Sequence, residues 1–327
     1  MRPGNDGQPD IIVMGASAGG VEALRNVTAA FPAGMDAAVF VVLHTMATAE
    51  SLLPDILSRA SALPAVLAQD DTPVETGRIY VAPPDRHVLL RDGVMRVVRG
   101  PKENRHRPSI DVLFRSAAAL YRDRVAGVLL SGSDDDGTGG LMSVKRHGGI
   151  TVVQDPADCD FARMPASALE RLEPDFTLPL NEIGDLLARL VDGRIRVNER
   201  QHMSDPSDRT LPEKEGKPTD VSKLGTPSAF SCPECNGTLW ELQDGHLLRY
   251  ECRVGHAYST EGMIEAQSDS VERALWSAVR ALEESAALSR RVGRRARILE
   301  PEMTRKAAER EEHARVIRKL LLETQGG

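Results

Sequence analysis

Residues 11–20 read Ile-Ile-Val-Met-Gly-Ala-Ser-Ala-Gly-Gly. The order is that of a short apolar strand, a tight glycine turn and the start of a helix. Within it, Gly15-Ala16-Ser17-Ala18-Gly19 fits the G-x-S-x-G pattern of a nucleophile elbow. Small residues are needed on both sides of such a serine, because it sits on a sharp turn with its hydroxyl exposed and bulky neighbours would clash. The helix start also offers backbone N–H groups to a developing oxyanion. A dinucleotide-binding loop would need glycine where Ser17 stands, and no Gly-Lys-Ser/Thr follows, so neither that loop nor a P-loop is read here. A plain tight turn is the other reading of this stretch taken alone.

Outward from the elbow, short β-branched runs alternate with helical stretches as far as residue 196. Strands are expected at Asp10 to Met14, Ala37 to Leu43, Arg78 to Val81, Val125 to Leu130 and Ile150 to Val153. His87 to Leu90 and Val94 to Val98, joined by Arg91-Asp92-Gly93, read as a hairpin. Helices are expected at Val21 to Ala30, Ser51 to Ala60, Ile110 to Tyr121, Gly139 to His147 and Ile183 to Val191. Apolar strands alternating with helices predict an α/β fold, a doubly wound, mostly parallel sheet with helices on both faces. Residues 197–227 are polar and aperiodic and read as a linker. Residues 228–260 form a compact Cys/His segment, and 261–327 a helical tail in which Pro301 marks a break or a new helix start.

A serine hydroxyl needs a base to take its proton. His44 follows directly on the strand ending at Leu43, and Ser17 follows the first strand, so in a parallel sheet the two share one edge. His147 lies at a helix end, His87 begins a hairpin strand, and His106 falls in the basic stretch Arg105-His106-Arg107-Pro108. The acid is sought in Ser131-Gly-Ser-Asp-Asp-Asp-Gly137, which again follows a strand and precedes a helix. One of its three aspartates, buried, would hold the imidazole in the right tautomer; the others are expected to be solvated or to cap the helix. The order Ser, His, Asp differs from the Ser, Asp, His of lipase-like hydrolases.

Several further stretches, taken in order, resemble the catalytic domain of the chemotaxis protein-glutamate methylesterases. They are Met14-Gly-Ala-Ser-Ala-Gly-Gly20, Val41-Val-Leu-His44, Gly77-Arg-Ile-Tyr-Val-Ala-Pro83, Arg107-Pro-Ser-Ile-Asp-Val-Leu-Phe114, the Ser-Gly-Ser-Asp-Asp-Asp-Gly turn, Gly149-Ile-Thr-Val-Val-Gln-Asp155 and Met164-Pro165. The resemblance spans roughly residues 10–195. It implies hydrolysis of γ-glutamyl methyl esters on chemoreceptors, often with glutamine deamidation, and no catalytic cofactor. It makes Ser17 the nucleophile, His44 the base and Asp136 the orienting acid. The chain departs from the family in three places: Ala18 where many members have Thr, Gly132-Ser133-Asp134 for the usual Gly-Met-Gly, and Leu43 for the usual Gln. The first strand begins almost at once, so the N-terminal phosphoacceptor domain of the usual architecture is not expected, nor is control by phosphorylation in cis.

Three of the four cysteines lie in the Cys/His segment. Cys232-Pro-Glu-Cys235 and Cys252-Arg-Val-Gly-His256 are two close pairs separated by a hairpin-length insert turning at Asp244-Gly245, the spacing of a zinc ribbon. A structural zinc ion held by Cys232, Cys235, Cys252 and His256 is expected. The second pair argues against a redox Cys-x-x-Cys, His246 is a spare candidate ligand that reads rather as an exposed turn residue, and Cys159 reads as an ordinary loop cysteine. In the tail, Leu275, Trp276, Val279 and Leu282 recur at helical spacing, for core or for a signalling partner, and the basic run from Arg290 to Arg297 reads as a solvated face, with an acidic partner as the alternative.

The 327 residues are 41% hydrophobic but only 4% aromatic, so aliphatic side chains build the core, and the net charge of −7 argues against nucleic acid as the partner. No signal peptide and no run long enough to cross a bilayer is seen, so a cytoplasmic location is expected, without membrane insertion. The expected partner is a methylated chemoreceptor or similar signalling protein. A serine esterase acting on another protein or a small ester, or a non-enzymatic signalling scaffold, are the rival readings; the intact Ser/His/Asp set weighs against the scaffold.

Overall fold

The computed structural model describes residues 8–47, 51–195, 197, 225–244, 247–295 and 300–323. Nearly all of the expected linker, the Asp244-Gly245 turn's second residue, His246 and Arg297 lie outside these. The chain forms two compact units, Met1–Met263 and Ile264–Gly327.

In the first unit, β1 (Ile11–Ala16), β2 (Ala38–Leu43), β3 (Ala65–Leu67), β5 (Arg78–Val81), β8 (Val125–Leu129), β9 (Ile150–Gln154) and β10 (Phe176–Leu178) make one sheet in the order β10-β9-β8-β1-β2-β5-β3. Every pairing in it is parallel. The chain runs outward from β1 through β2 to β5, then crosses back to β8 on β1's other side. The switch in direction therefore lies at β1, where open α/β sheets place their sites. The hairpin β6 (His87–Arg91) and β7 (Val94–Val98) stands apart, in a three-stranded sheet with β4 (Thr72–Pro73).

The near-continuous apolar strands follow from burial on both faces. Alternate residues of β1 separate: Ile12, Met14 and Ala16 pack with α1 (Gly20–Ala29), α2 (Leu53–Ala60) and α6 (Leu180–Val191). Ile11 and Val13 pack with α3 (Ile110–Tyr121), α4 (Thr138–Arg146) and α5 (Arg163–Arg171). Gly15 lets α3 approach the elbow, since a Cβ there would lie 2.4 Å from Ile110 Cγ2. Helix α5 and strand β10 do not stand out in the sequence. The strand is only three residues long, and Pro165 sits in the first turn of the helix, where its missing N–H costs nothing.

The Cys/His segment folds as an antiparallel sheet of β11 (Thr226–Ser231), β12 (Thr238–Asp244), β13 (Leu247–Cys252) and β14 (Ala257–Ser259), in sequence order. It belongs to the first unit. The tail is α7 (Thr260–Arg295) and α8 (Glu300–Glu323), with Pro301 in the first turn of α8. In the second unit Val279, Ala314 and Leu321 form a small core with Leu275, Leu282 and Ile317 around it, whereas Trp276 is exposed. Arg290 pairs with Glu311 across the two helices. None of the described helices is long and apolar enough to cross a membrane.

Candidate active site

Register places the site. Ala16 pairs with Leu43 and Gly15 with Leu129, so the residues just beyond three strands meet at one edge. Backbone bonds continue that alignment: His44 N donates to Ala16 O (3.2 Å), and Ser17 N donates to Ser131 O (2.9 Å). Gly19, at φ +75°, turns the chain from the strand into α1. The result is a file of three side chains: Ser17 Oγ lies 3.2 Å from His44 Nδ1, and His44 Nε2 lies 3.0 Å from Asp136 Oδ2.

Asp136 is fully buried and densely hydrogen bonded. It accepts from Asn104 Nδ2 (3.0 Å), Ser109 Oγ (2.9 Å) and the backbone N–H of Ile110 (2.6 Å). Burial disfavours its charge, but the His44 hydrogen bond and charge hold it below the usual carboxylate range. An ionised Asp136 fixes the proton of neutral His44 on Nε2, which leaves the Nδ1 lone pair facing Ser17. Behind it, Asp111 is a buried carboxyl pushed up to about 8 by burial and by Asp136. Its Oδ1 accepts from Gly137 N (3.0 Å) and Gly140 N (2.6 Å), tying α3 to the turn that carries Asp136.

Two other groups complete the surroundings of His44, and the sequence did not single them out as site residues. His106 stacks on His44, with ring centroids 3.5 Å apart and planes 6° from parallel. Asp134 Oδ2 bridges the pair, at 3.3 Å from His44 Nδ1 and 2.9 Å from His106 Nε2. Asp134 is thus neither solvated nor a helix cap; the two imidazoles hold its carboxyl well below its ordinary value despite burial. Burial alone would depress the His44 pKa, but Asp134 and Asp136 outweigh it and raise it to about 9.

The remaining candidates lie elsewhere. His87 is buried and kept neutral by that burial; its Nε2 donates to Pro101 O (2.8 Å) and its Nδ1 accepts from Ser109 N (3.2 Å). His147 closes α4, with Nδ1 2.9 Å from Ser143 O. Cys159 donates to Asp155 O (3.3 Å), and burial together with Asp158, Asp155 and Asp160 pushes its thiol up to about 11, the opposite of an activated nucleophile.

The four expected metal ligands converge separately. One ligand atom from each of Cys232, Cys235, Cys252 and His256 lies within 4.8 Å of all the others. Cys235 Sγ is 3.6 Å from Cys252 Sγ, and His256 Nδ1 is 3.6 Å from Cys232 Sγ and 3.5 Å from Cys252 Sγ. Zinc bonds of about 2.3 Å to sulfur and about 2.0 Å to nitrogen set tetrahedral edges of roughly 3.5–3.8 Å, so the set fits that ion.

Comparison with known proteins bears on the first unit. The family model described as CheB methylesterase matches residues 12–187. A Leptospira interrogans protein provisionally named protein-glutamate methylesterase/protein-glutamine glutaminase is 36% identical over 182 residues, which is 55% of this chain and 94% of that one. A protein-glutamate methylesterase/protein-glutamine glutaminase of Anaeromyxobacter dehalogenans is 40% identical over 184 residues, 55% of this chain and 51% of its own; the chain thus spans about half the length of that relative. The crystal structure of the Thermotoga maritima CheB methylesterase catalytic domain superposes with a TM-score of 0.54 at 31% identity, over 56% of this chain and 98% of that one. The chain therefore belongs to the CheB methylesterase family.

Proposed function

We propose that the chain is a serine-dependent protein-glutamate methylesterase that hydrolyses γ-glutamyl methyl esters on chemoreceptor-type proteins in chemotactic adaptation or related signalling. The observation that carries this reading is the Ser17–His44–Asp136 file at the strand edge of a methylesterase-family fold.

Ser17 Oγ attacks the ester carbonyl as its proton passes to His44 Nδ1, and Asp136 steadies the imidazolium through Nε2. The N–H groups of Ala18 and Gly19, which have no protein acceptor among the described residues, are the donors available at the start of α1 for the developing oxyanion. His44 then protonates the departing methoxide and methanol leaves. Water, deprotonated by His44, cleaves the acyl-enzyme to give the glutamate carboxylate and restore Ser17. The same sequence on a glutamine side chain releases ammonia, which accounts for a glutaminase activity without further residues. No step draws on a metal. The four side chains of Cys232, Cys235, Cys252 and His256 would fill the ligand positions of the zinc ion that we assign to them, which would make its role structural.

The test is methanol release from methyl-labelled chemoreceptor membranes by the wild type and by Ser17→Ala. Release by the wild type alone is expected. Equal release by both would refute Ser17 as nucleophile, and none from either would refute the substrate.

A further inference from the structure

The Cys/His sheet does not stand clear of the catalytic core; it is seated on one turn, residues 102–106. Ala257 N donates to Lys102 O (3.3 Å), and Asn104 N donates to Ala257 O (2.9 Å). Arg249 Nη2 donates to Glu103 Oε1 (2.7 Å), whose other oxygen accepts from Arg115 of α3 (2.7 Å). Lys102 Nζ reaches Glu234 Oε1 (3.2 Å), between the first two ligand cysteines. Ala257 directly follows His256, and Cys252 N donates to His256 O (3.0 Å), so the ligand loop leads straight into the strand that grips the turn.

The turn holds two residues of the active site. Asn104 and Arg105 both have positive φ, 48° and 70°, and the turn closes by paired bonds between Glu103 and His106. His106 stacks on His44. Asn104 is buried and divides its amide between the two regions. Its Oδ1 accepts from Ser259 N of β14 (2.8 Å), while its Nδ2 donates to Asp136 Oδ1 and Asp111 Oδ2 (both 3.0 Å). One side chain thus joins the Cys/His sheet to the acid that orients the catalytic base.

The sheet has few means of holding its shape alone. Its fully buried apolar side chains are Cys232, Leu239, Cys252, Ala257 and Tyr258, with Leu242 and Tyr250 nearly so, too little for an independent core. Four protein ligands on one ion would supply that stability.

We propose that zinc bound at Cys232, Cys235, Cys252 and His256 holds the 102–106 turn in its catalytic position, with Asn104 as the positioning residue, so that esterase activity depends on an ion remote from the reaction. This rests on the esterase reading of Ser17, His44 and Asp136. Loss of the ion frees β14, Asn104 loses the partner of its Oδ1, and Asp136 and His106 lose their register against His44.

The experiment uses the full chain with its zinc content measured, before and after removal of the ion by a chelator under reducing conditions. Hydrogen exchange of peptides covering residues 101–106 is followed by mass spectrometry, alongside kcat and KM on a soluble ester. Removal is expected to speed exchange in that turn and to lower kcat by roughly ten- to hundredfold with little change in KM, the scale of a mispositioned catalytic group. Readded zinc ions alone restore both. Arg249→Met, which leaves the ligands and the triad untouched, is expected to speed the same exchange and lower kcat by a smaller factor at unchanged zinc content. A chain that binds no zinc, or whose exchange at 101–106 is the same with and without it, would overturn the proposal. If the zinc-loaded chain hydrolyses no ester, the esterase reading fails, while the exchange measurement still decides the coupling.

Discussion

Neutralising Asp134 should make the enzyme faster near neutral pH. His44, raised to about 9, lies between two carboxylates, Asp136 at 3.0 Å from Nε2 and Asp134 at 3.3 Å from Nδ1. With a pKa of about 9, roughly one molecule in a hundred carries the neutral, base-competent imidazole at pH 7. A carboxylate this close shifts a pKa by about 1–3 units. Asp134→Asn, with Asp136 retained, should therefore bring His44 down by about 1–2 units and raise the neutral fraction at pH 7 by about ten- to fiftyfold. Part of that gain is offset, because a weaker base takes the Ser17 proton less readily and the high-pH plateau falls. The expected net result is a rate several-fold higher at pH 7 and lower above pH 9. The assay is kcat/KM against pH on a soluble ester, since that ratio reports the pKa of the free enzyme. The wild-type acid limb should have its midpoint near 9, and the variant's should lie about 1–2 units lower. An unmoved midpoint, or a variant slower at every pH, would refute the reasoning.

Asp136→Asn should lower kcat by about 10⁴ with the fold retained, because the amide no longer fixes the Nε2 proton; circular dichroism with single-turnover kinetics checks both halves. Gly15→Ala forces a Cβ to 2.4 Å from Ile110 Cγ2 and should cost about 1–3 kcal/mol in denaturant unfolding. It should also lower kcat, because Ile110 N is a donor to Asp136. Stability should also fall with rising pH on account of His44. Its folded value of about 9 lies above the ordinary 6.5, so its contribution is complete below about pH 6.5 and is lost as pH rises through about 9. The full span is about 3 kcal/mol, and chemical unfolding of the wild type and Asp134→Asn across that window should show the steeper loss in the wild type.

The sequence announced those parts of the site that a parallel sheet places by rule. Ser17 and His44 each follow an apolar strand directly, the 134–136 turn lies in the short loop between β8 and α4, and β1, β2 and β8 are neighbours, so strand ends and site coincide. Within the turn, motif resemblance singled out Asp136, but the environment of Asp134 was not legible. A run of three aspartates before a helix looks like solvent-facing caps, and it is His44 and His106, both from other parts of the chain, that engage Asp134 in the site. Asn104 and His106 were hidden for a related reason: their turn lies between a hairpin and α3, amid charged residues with no period, and it pairs with β14, which is remote in sequence. The contacts of Lys102, Glu103 and Asn104 carry the Cys/His sheet into the first compact unit, which runs to Met263.

The geometry around His44 Nδ1 gives Asp134 two opposed effects. Ser17 Oγ at 3.2 Å and Asp134 Oδ2 at 3.3 Å compete for one nitrogen. When that nitrogen carries a lone pair, it accepts from the serine hydroxyl and faces the aspartate unfavourably; when it carries a proton, it donates to the aspartate. Asp134 therefore opposes the state that begins the reaction and stabilises the imidazolium that serine attack creates. Its first effect sets how often the site is ready, and its second how easily the proton moves once it is. The resemblance to other family members places glycine at this position, where neither effect exists. A chain with aspartate there, with His106 sharing the carboxylate, is one whose base is held charged over the neutral range and released as pH rises. Removing His106 alone leaves Asp134 to bear on His44 undivided, so His106→Ala should move the acid limb upward, in the opposite direction to Asp134→Asn. Opposite shifts in the two pH profiles would separate this electrostatic account from a general loosening of the site, which would lower the rate in both variants without moving either midpoint.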